Sequence, residues 1–285
     1  MTKKGIIKSN NVCMTDHALY AVCFSHIGKR LTHEDNFLIK NNYLTSDMQR
    51  RMSDRHCCFF CGKSSSRVAL YAVSDGMGGH NAGEIASQVC VEMLAAAQKK
   101  IQQYNSIEDV VACLQSVIEA INKKVCAMSN ENSEMRGMGA TLVLFVACGD
   151  KYAVLNVGDS RAYYLYNQQI AQITKDNTEG QRMLDLGLLT RKELLSFPAR
   201  KNLNRYIGLY QSGYTLRADE YYLIADEGFV ILCSDGISDS VSNERILEIF
   251  NLEKTAEAAG KRLIDEAVAS QYSDNATIMI IKLRR

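Results

Sequence analysis

Six acids stand where apolar stretches begin or end. Glu34 and Asp35 come just before one, and Asp274 comes immediately before the last. Asp75 follows an apolar run and precedes Gly76; Asp235 follows Phe229-Val230-Ile231-Leu232-Cys233 and precedes Gly236. Asp159 lies beside Gly158. An acid at a strand end can face the mouth of a sheet without entering the core, and strand ends from distant sequence can meet there. Hard divalent cations such as Mg2+ and Mn2+ take carboxylate, carbonyl and water oxygens in octahedral arrays. A glycine after the ligand lets the backbone come close, so that its carbonyl can bind as well. Any one Asp-Gly pair is also ordinary turn chemistry. Several together, each after an apolar run, point to a metal site, and whether they converge is left to the fold.

Elements must carry these acids. The stretch 17–26 alternates loosely and reads as a first strand, with 37–40 as its hairpin partner. Residues 41–67 lose periodicity and collect Arg50, Arg51, Arg55, Cys57, Cys58 and Cys61, so they read as an inserted loop. A short apolar strand at 68–74 runs into Gly76, Gly78 and Gly79. Two helices follow: 82–104, with Ile85, Val89 and Met93 on one side, and 107–128, with Val110, Leu114, Ile118 and Ile121. Strands are predicted at 140–147, 152–156 and 161–166, and the short connections at Gly149-Asp150 and Gly158-Asp159 make them antiparallel neighbours. Two short helices at 178–196, strands at 221–224 and 229–234, helices within 243–270 and a last strand at 276–283 complete the order. Strands in runs, with helices in pairs between them, indicate an α+β fold with antiparallel sheets.

The totals set the class. The chain has 285 residues, 47% hydrophobic and 23% charged, with a net charge of +1. A sizeable core can be buried, and the overall field gives no reason to expect nucleic acid. Of 10 cysteines, Cys90, Cys113, Cys126, Cys148 and Cys233 sit inside apolar stretches and read as small core residues. Lys3 and Lys4 precede only a very short apolar run, unlike a secretory leader, and no stretch is long and apolar enough to span a bilayer. The expectation is a reducing cytoplasm with thiols, not a disulfide framework.

Three other signals compete. Cys61-Gly62-Lys63-Ser64-Ser65-Ser66-Arg67 fits a Cys-x5-Arg phosphatase loop, but that chemistry needs a helix after the loop, and Arg67 leads into an apolar strand. Gly62-Lys63-Ser64 ends like a P-loop, yet Cys57 stands at its first glycine. His56, Cys57, Cys58 and Cys61 are dense enough for zinc, although adjacent Cys57 and Cys58 rarely point the same way; a loop with reactive thiols is the plain reading. The nearby arginines could instead contact an acidic partner.

Taken together, the motifs carry a family likeness. The stretch Gly28-Lys29-Arg30-Leu31-Thr32-His33-Glu34-Asp35 resembles the first motif of metal-dependent Ser/Thr protein phosphatases of the 2C type. Asp75-Gly76-Met77-Gly78-Gly79-His80, with Ala82-Gly83-Glu84, is similar to the bacterial form of the second. Gly137-Met138-Gly139-Ala140-Thr141 and Val157-Gly158-Asp159-Ser160-Arg161-Ala162 resemble the middle motifs; Ser234-Asp235-Gly236-Ile237-Ser238-Asp239 and Asp274-Asn275-Ala276-Thr277 resemble the last two. The resemblance implies a four-layer α-β-β-α sandwich of two antiparallel sheets flanked by helices. It implies one catalytic domain over 1–285, with the insert at about 41–67 and a flap at about 178–208. It also implies two Mn2+ or Mg2+ ions bridged by Asp75 and the Gly76 carbonyl, one completed by Asp235 and Asp274, the other served by Glu34. Asp159 with Asp235 matches positions that hold a third, weaker ion in bacterial relatives. Asp35 would hydrogen-bond a metal-bound water and Arg30 would bind the substrate phosphate. His33 stands where relatives usually have Asn, as a candidate proton donor or a simple replacement; His80 braces a turn.

The implied activity is hydrolysis of phosphoserine and phosphothreonine in proteins by a metal-bridging hydroxide, reversing Ser/Thr kinases. The partners would be a cognate kinase and its phosphorylated substrates, and the chain a cytoplasmic monomer. The alternative is a catalytically weak relative that binds phosphoproteins as a regulatory scaffold.

Overall fold

The central strands are buried along nearly their whole length, and the alternation of their side chains between the two faces of each sheet sorts the apolar residues into three layers. The computed structural model describes residues 19–55, 57–64, 66–78, 82–210, 212–225, 227–270 and 273–283. In chain order the elements are β1 (Leu19–His26), β2 (Asn36–Ile39), α1 (Ser46–Arg55), β3 (Cys57–Ser64), β4 (Val68–Ser74), β5 (Gly76–Met77), α2 (Gly83–Ile101) and α3 (Ile107–Glu131). Then come β6 (Gly139–Ala140), β7 (Leu142–Cys148), β8 (Lys151–Val157), β9 (Arg161–Tyr166), β10 (Gln169–Gln172), α4 (Glu179–Asp185) and α5 (Arg191–Leu194). The chain ends with β11 (Asp219–Leu223), β12 (Gly228–Cys233), α6 (Asp235–Ser238), α7 (Asn243–Leu252), α8 (Ala256–Ala269) and β13 (Ala276–Leu283).

One sheet runs β10-β9-β12-β13-β1-β3 and the other β11-β8-β7-β4-β2, with β5 and β6 paired apart. The pairings are antiparallel. On β4, Ala69, Tyr71 and Val73 face the opposite sheet, where they meet Cys23, Leu232 and Met279, while Val68, Leu70 and Ala72 pack under α2 and α3. On the far side, Val22, Phe24, Ile231, Ile278 and Ile280 pack under α7 and α8. The result is the expected α+β sandwich of two antiparallel sheets between helices.

α3 follows its sequence pattern, with Val110, Leu114, Ile118 and Ile121 at 0% exposure and Ser106 capping the first turn. In α2 the buried stripe is Ala86, Cys90, Leu94, Ala97 and Ile101; Ile85, Val89 and Met93 pack at its flank. Small residues bring the helix close to the sheet. The cysteines at 90, 113, 126, 148 and 233 are buried thiols, and burial pushes Cys90 and Cys233 up to about 12.

Three expectations fail. β2 is not the hairpin partner of β1: it pairs with β4, in the other sheet, while β1 lies between β13 and β3. The stretch 41–67 is no structureless loop, because it holds α1 and β3, and β3 runs antiparallel to all of β1. β8 and β9 are not neighbours; the Gly158-Asp159 turn, with Gly158 at φ +105°, carries the chain from one sheet to the other.

Candidate metal and phosphate site

Each acid is seated by a turn whose polar groups are already paired. β4 ends at Ser74, whose Oγ donates to the Thr141 carbonyl at 2.7 Å. The Asp75 N–H donates to Thr141 Oγ1 at 3.0 Å, the Thr141 N–H returns to the Asp75 carbonyl at 2.8 Å, and Thr141 Oγ1 meets Ser160 Oγ at 2.6 Å. One threonine thus ties the Asp75 elbow to the Asp159 elbow. The Gly76 N–H donates to the Glu34 carbonyl at 3.2 Å. A Cβ on Gly76 would fall 2.0 Å from the Gly83 carbonyl oxygen, so only glycine fits between the Glu34 segment and the start of α2.

Asn275 assembles the opposite side. Its Oδ1 accepts the Glu34 N–H at 2.7 Å, and its Nδ2 donates to the carbonyls of Ile27 and Thr32 at 2.8 and 3.0 Å. Asp35 is fully buried; its Oδ2 accepts from Ser234 Oγ at 2.7 Å, and its Oδ1 has no hydrogen-bond partner. Asp235 opens α6 beside it. Arg30 donates to Asp274 at 2.5 Å. Lys201, between α5 and β11, pairs with Asp239 at the end of α6.

These acids lie near enough to feel one another's charge. Burial pushes Glu34 up to about 7, with Glu84 adding to it, and pushes Asp159 up to about 7, with Asp235 adding. Asp75 is driven well above the carboxylate range by burial and by Asp35, Asp235, Asp159 and Asp274 together. Burial also raises Asp35 and Asp235; hydrogen bonding from Thr277 and Ser234 opposes the rise at Asp35, and Asp239 and Asp274 add to it at Asp235.

Among the described residues, no three His, Cys, Asp or Glu side chains are arranged to hold one metal ion. Magnesium, however, keeps several waters and binds through one or two carboxylates. A set of hard oxygens, an unpartnered Asp35 oxygen and a close backbone cradle at Gly76 fit that habit. Neither of two surface cavities, about 510 Å3 beside Tyr221 and about 650 Å3 beside Phe229, is lined by any of the six acids.

Not every candidate belongs here. His33 is 2% exposed, its Nε2 lies 2.9 Å from Ser25 Oγ, and burial, with His26, lowers it to about 3. A buried ring lowered this far is neutral in the folded chain, which favours the simple-replacement reading over the proton-donor one. Arg67 is engaged by the Gln102 carbonyl at 2.6 Å and by Asn105, and it leads into β4. It therefore cannot serve a Cys61 phosphatase loop. Cys57, Cys58 and Cys61 lie on β3; His56, Gly79 and His80 lie outside the described residues.

Sequence reasoning gave no role to Thr141, Asn275, Ser234 or Glu84. Each stood within a motif, but nothing in its type announced that it would position an acid. Glu84 has a buried, unpartnered Oε2 and raises Glu34.

Comparison with known proteins places this geometry. A profile of protein phosphatase 2C matches residues 49–269, which include Asp75, Asp159 and Asp235. The chain is 36% identical over 216 residues to the serine/threonine protein phosphatase PstP of Mycobacterium tuberculosis, covering 74% of this chain and 40% of that one. The chain thus spans well under half the length of this relative. It is 29% identical over 214 residues to the serine/threonine phosphatase stp of Listeria monocytogenes, covering 75% of this chain and 84% of that one. A crystal structure of the PstP catalytic domain in complex with two manganese ions superposes with a TM-score of 0.71 at 28% identity, covering 94% of this chain and 99% of that one.

Proposed function

The chain belongs to the protein phosphatase 2C family, and from that premise we propose that it hydrolyses phosphoserine and phosphothreonine in proteins with Mn2+ or Mg2+. The observation that carries the proposal is a set of acids from separate turns, raised by burial first and by one another's charge second, with Arg30 paired to Asp274 beside them. Carboxylates so crowded repel a phosphate dianion unless cations reverse the local field.

Asp75, the Gly76 carbonyl, Asp235, Asp274 and Glu34 would hold two divalent ions, and Asp159 with Asp235 a third more weakly. Bound divalent ions supply an acidified water as nucleophile and neutralise the phosphoryl oxygens. The protein's own groups do the rest. Arg30 offers a planar fork to two phosphate oxygens, which a lysine could not match. Asp35, fixed through Oδ2 by Ser234, would use its unpartnered Oδ1 to orient the attacking water. Water adds to phosphorus in line, the serine or threonine oxygen leaves and takes a proton from water, and inorganic phosphate is released. No phosphoenzyme forms. On this reading the substrates are products of Ser/Thr kinases in the cytoplasm, and the chain acts as a monomer.

Manganese-dependent hydrolysis of p-nitrophenyl phosphate and of a phosphothreonine peptide tests the reading. Asp75→Asn and Asp235→Asn should each lose at least about a hundredfold in kcat/KM, since even residues behind metal ligands cost 10–100-fold. Activity unchanged in both would defeat the assignment. Cys61→Ser should keep full activity.

A further inference from the structure

Both oxygens of Asp274 are engaged within the protein. Oδ2 accepts from Arg30 Nη2 at 2.5 Å, and Oδ1 accepts the N–H of Asn275 at 2.7 Å. The backbone that carries this pair is held fast. Asn275 bonds Ile27, Thr32 and Glu34, at 2.8, 3.0 and 2.7 Å, so it clamps both flanks of the Arg30 loop. Gly28, at φ +66°, lies so close to Asp274 that a Cβ there would fall 2.0 Å from the Asp274 carbonyl oxygen. The Lys29 N–H adds a bond to the Ser273 carbonyl at 3.2 Å. The side chains are freer: Arg30 is 58% exposed and Asp274 34%. The loop cannot leave Asp274, yet the guanidinium can swing about its own side-chain bonds.

From this geometry we infer that Arg30 is a resident counter-cation of Asp274, which a divalent ion must displace, and that displacement releases the guanidinium for the substrate phosphate. The inference rests on the reading of Asp274 as a metal ligand given above. An ion claiming Oδ2 competes directly with Arg30 for the same lone pairs. Once evicted, the guanidinium keeps its anchored backbone and its strong preference for paired oxygens, and a phosphate held beside Asp274 is within reach of the same loop. Metal and phosphate occupancy are therefore coupled through one side chain. Binding linkage is reciprocal, so whatever draws Arg30 away from Asp274 also tightens the metal.

Calorimetric titration of Mn2+ into the chelator-stripped whole chain tests this without reference to turnover. Arg30→Ala should bind Mn2+ about three- to fivefold more tightly than the parent, the factor an exposed ion pair can supply. Arg30→Lys, which keeps the charge but loses the fork, should fall between the two. Lys29→Ala removes one charge from the same loop, where its Nζ donates to the Ser270 carbonyl at 2.9 Å, and should match the parent. Equal affinity in the parent and Arg30→Ala overturns the inference, and so does equal tightening by Lys29→Ala, which would reveal only a diffuse field. Asp75→Asn separates the two levels: if it still binds Mn2+ normally, the metal-site reading itself fails, whereas lost binding there with an unmoved Arg30→Ala condemns only the competition.

Discussion

At the scale of single residues, the site is decided by which polar atoms are turned inward. His33 and Asp35 are two positions apart, and both are buried. Asp35 keeps Oδ1 unpartnered and His33 keeps Nδ1 unpartnered, while His33 Nε2 meets the Ser25 hydroxyl, which in turn meets Thr277 Oγ1 at 2.7 Å. An asparagine amide at position 33 can donate to or accept from Ser25, as an imidazole nitrogen can. His33→Asn should therefore keep kcat within about threefold and stability within about 1 kcal/mol, while His33→Leu should lose about 1–3 kcal/mol by stranding Ser25. Urea unfolding beside p-nitrophenyl phosphate turnover measures both. A hundredfold loss of kcat in a stably folded His33→Asn would restore the ring as proton donor. Asp75 and Asp235 were legible as candidates, because each stands between an apolar run and a glycine. The fate of His33 was not, since spacing in a loop says nothing about which way the backbone turns a ring.

At the scale of elements, close backbone approach holds the acidic turns together. Gly236 lies against the start of β13, where a Cβ would sit 2.0 Å from the Asn275 carbonyl oxygen, a backbone atom that cannot step aside. Gly236→Ala must push α6 from β13 and so part Asp235 from Asp274. The expected outcome is about 1–3 kcal/mol of lost stability together with more than roughly tenfold lower kcat/KM. Gly260, in α8, offers the comparison: its Cβ would meet the Phe24 ring at 2.8 Å and Ile280 Cδ1 at 3.1 Å, both side-chain atoms far from the acids. Gly260→Ala should cost similar or less stability and leave kcat/KM within about twofold of the parent, because adding one methylene to a packed core strains only its neighbours. If both variants lost activity alike, the loss would report general loosening and not the parting of two acids. Element types were readable from apolar runs, as β4, β7, α3 and β13 show. Partners were not. β1 and β2 are adjacent in sequence, yet the 28–35 turn delivers them to different sheets, and Gly158 does the same for β8 and β9. The strand β3 escaped notice because it follows α1, whose sequence SDMQRRMSDR has too few apolar residues to show a helical stripe.

At the scale of the whole molecule, a net charge of +1 hides a strongly anionic centre. The sum of charges reads as neutral because basic residues elsewhere balance the acids, so composition was silent about the field that matters. That field links stability to pH. Glu34 and Asp159 are raised by burial from ordinary carboxylate values to about 7, and Asp35, Asp75 and Asp235 are raised as well. The folded chain thus binds more protons than the unfolded one between about pH 4 and 7, so stability is fullest below the unfolded values and drains away as pH rises through the folded ones. His33 acts oppositely, because its folded value of about 3 lies below 6.5 and costs stability only as pH falls beneath 6.5. Above that point the carboxylates act without opposition, and below it they outnumber one imidazole. In a chelator the melting temperature should be roughly 6–12 °C lower at pH 8 than at pH 6, from about 3 kcal/mol of linkage at Glu34 and Asp159 together. Asp159→Asn should flatten the fall, because one of the raised groups is gone. Excess Mn2+ should raise the melting temperature more at pH 8 than at pH 6, since the ligands must be deprotonated to bind. Differential scanning fluorimetry across that range, with and without the metal, decides it. A melting temperature that climbs from pH 6 to pH 8 in chelator would mean the acids do not crowd one another, and the shared site would lose its physical basis.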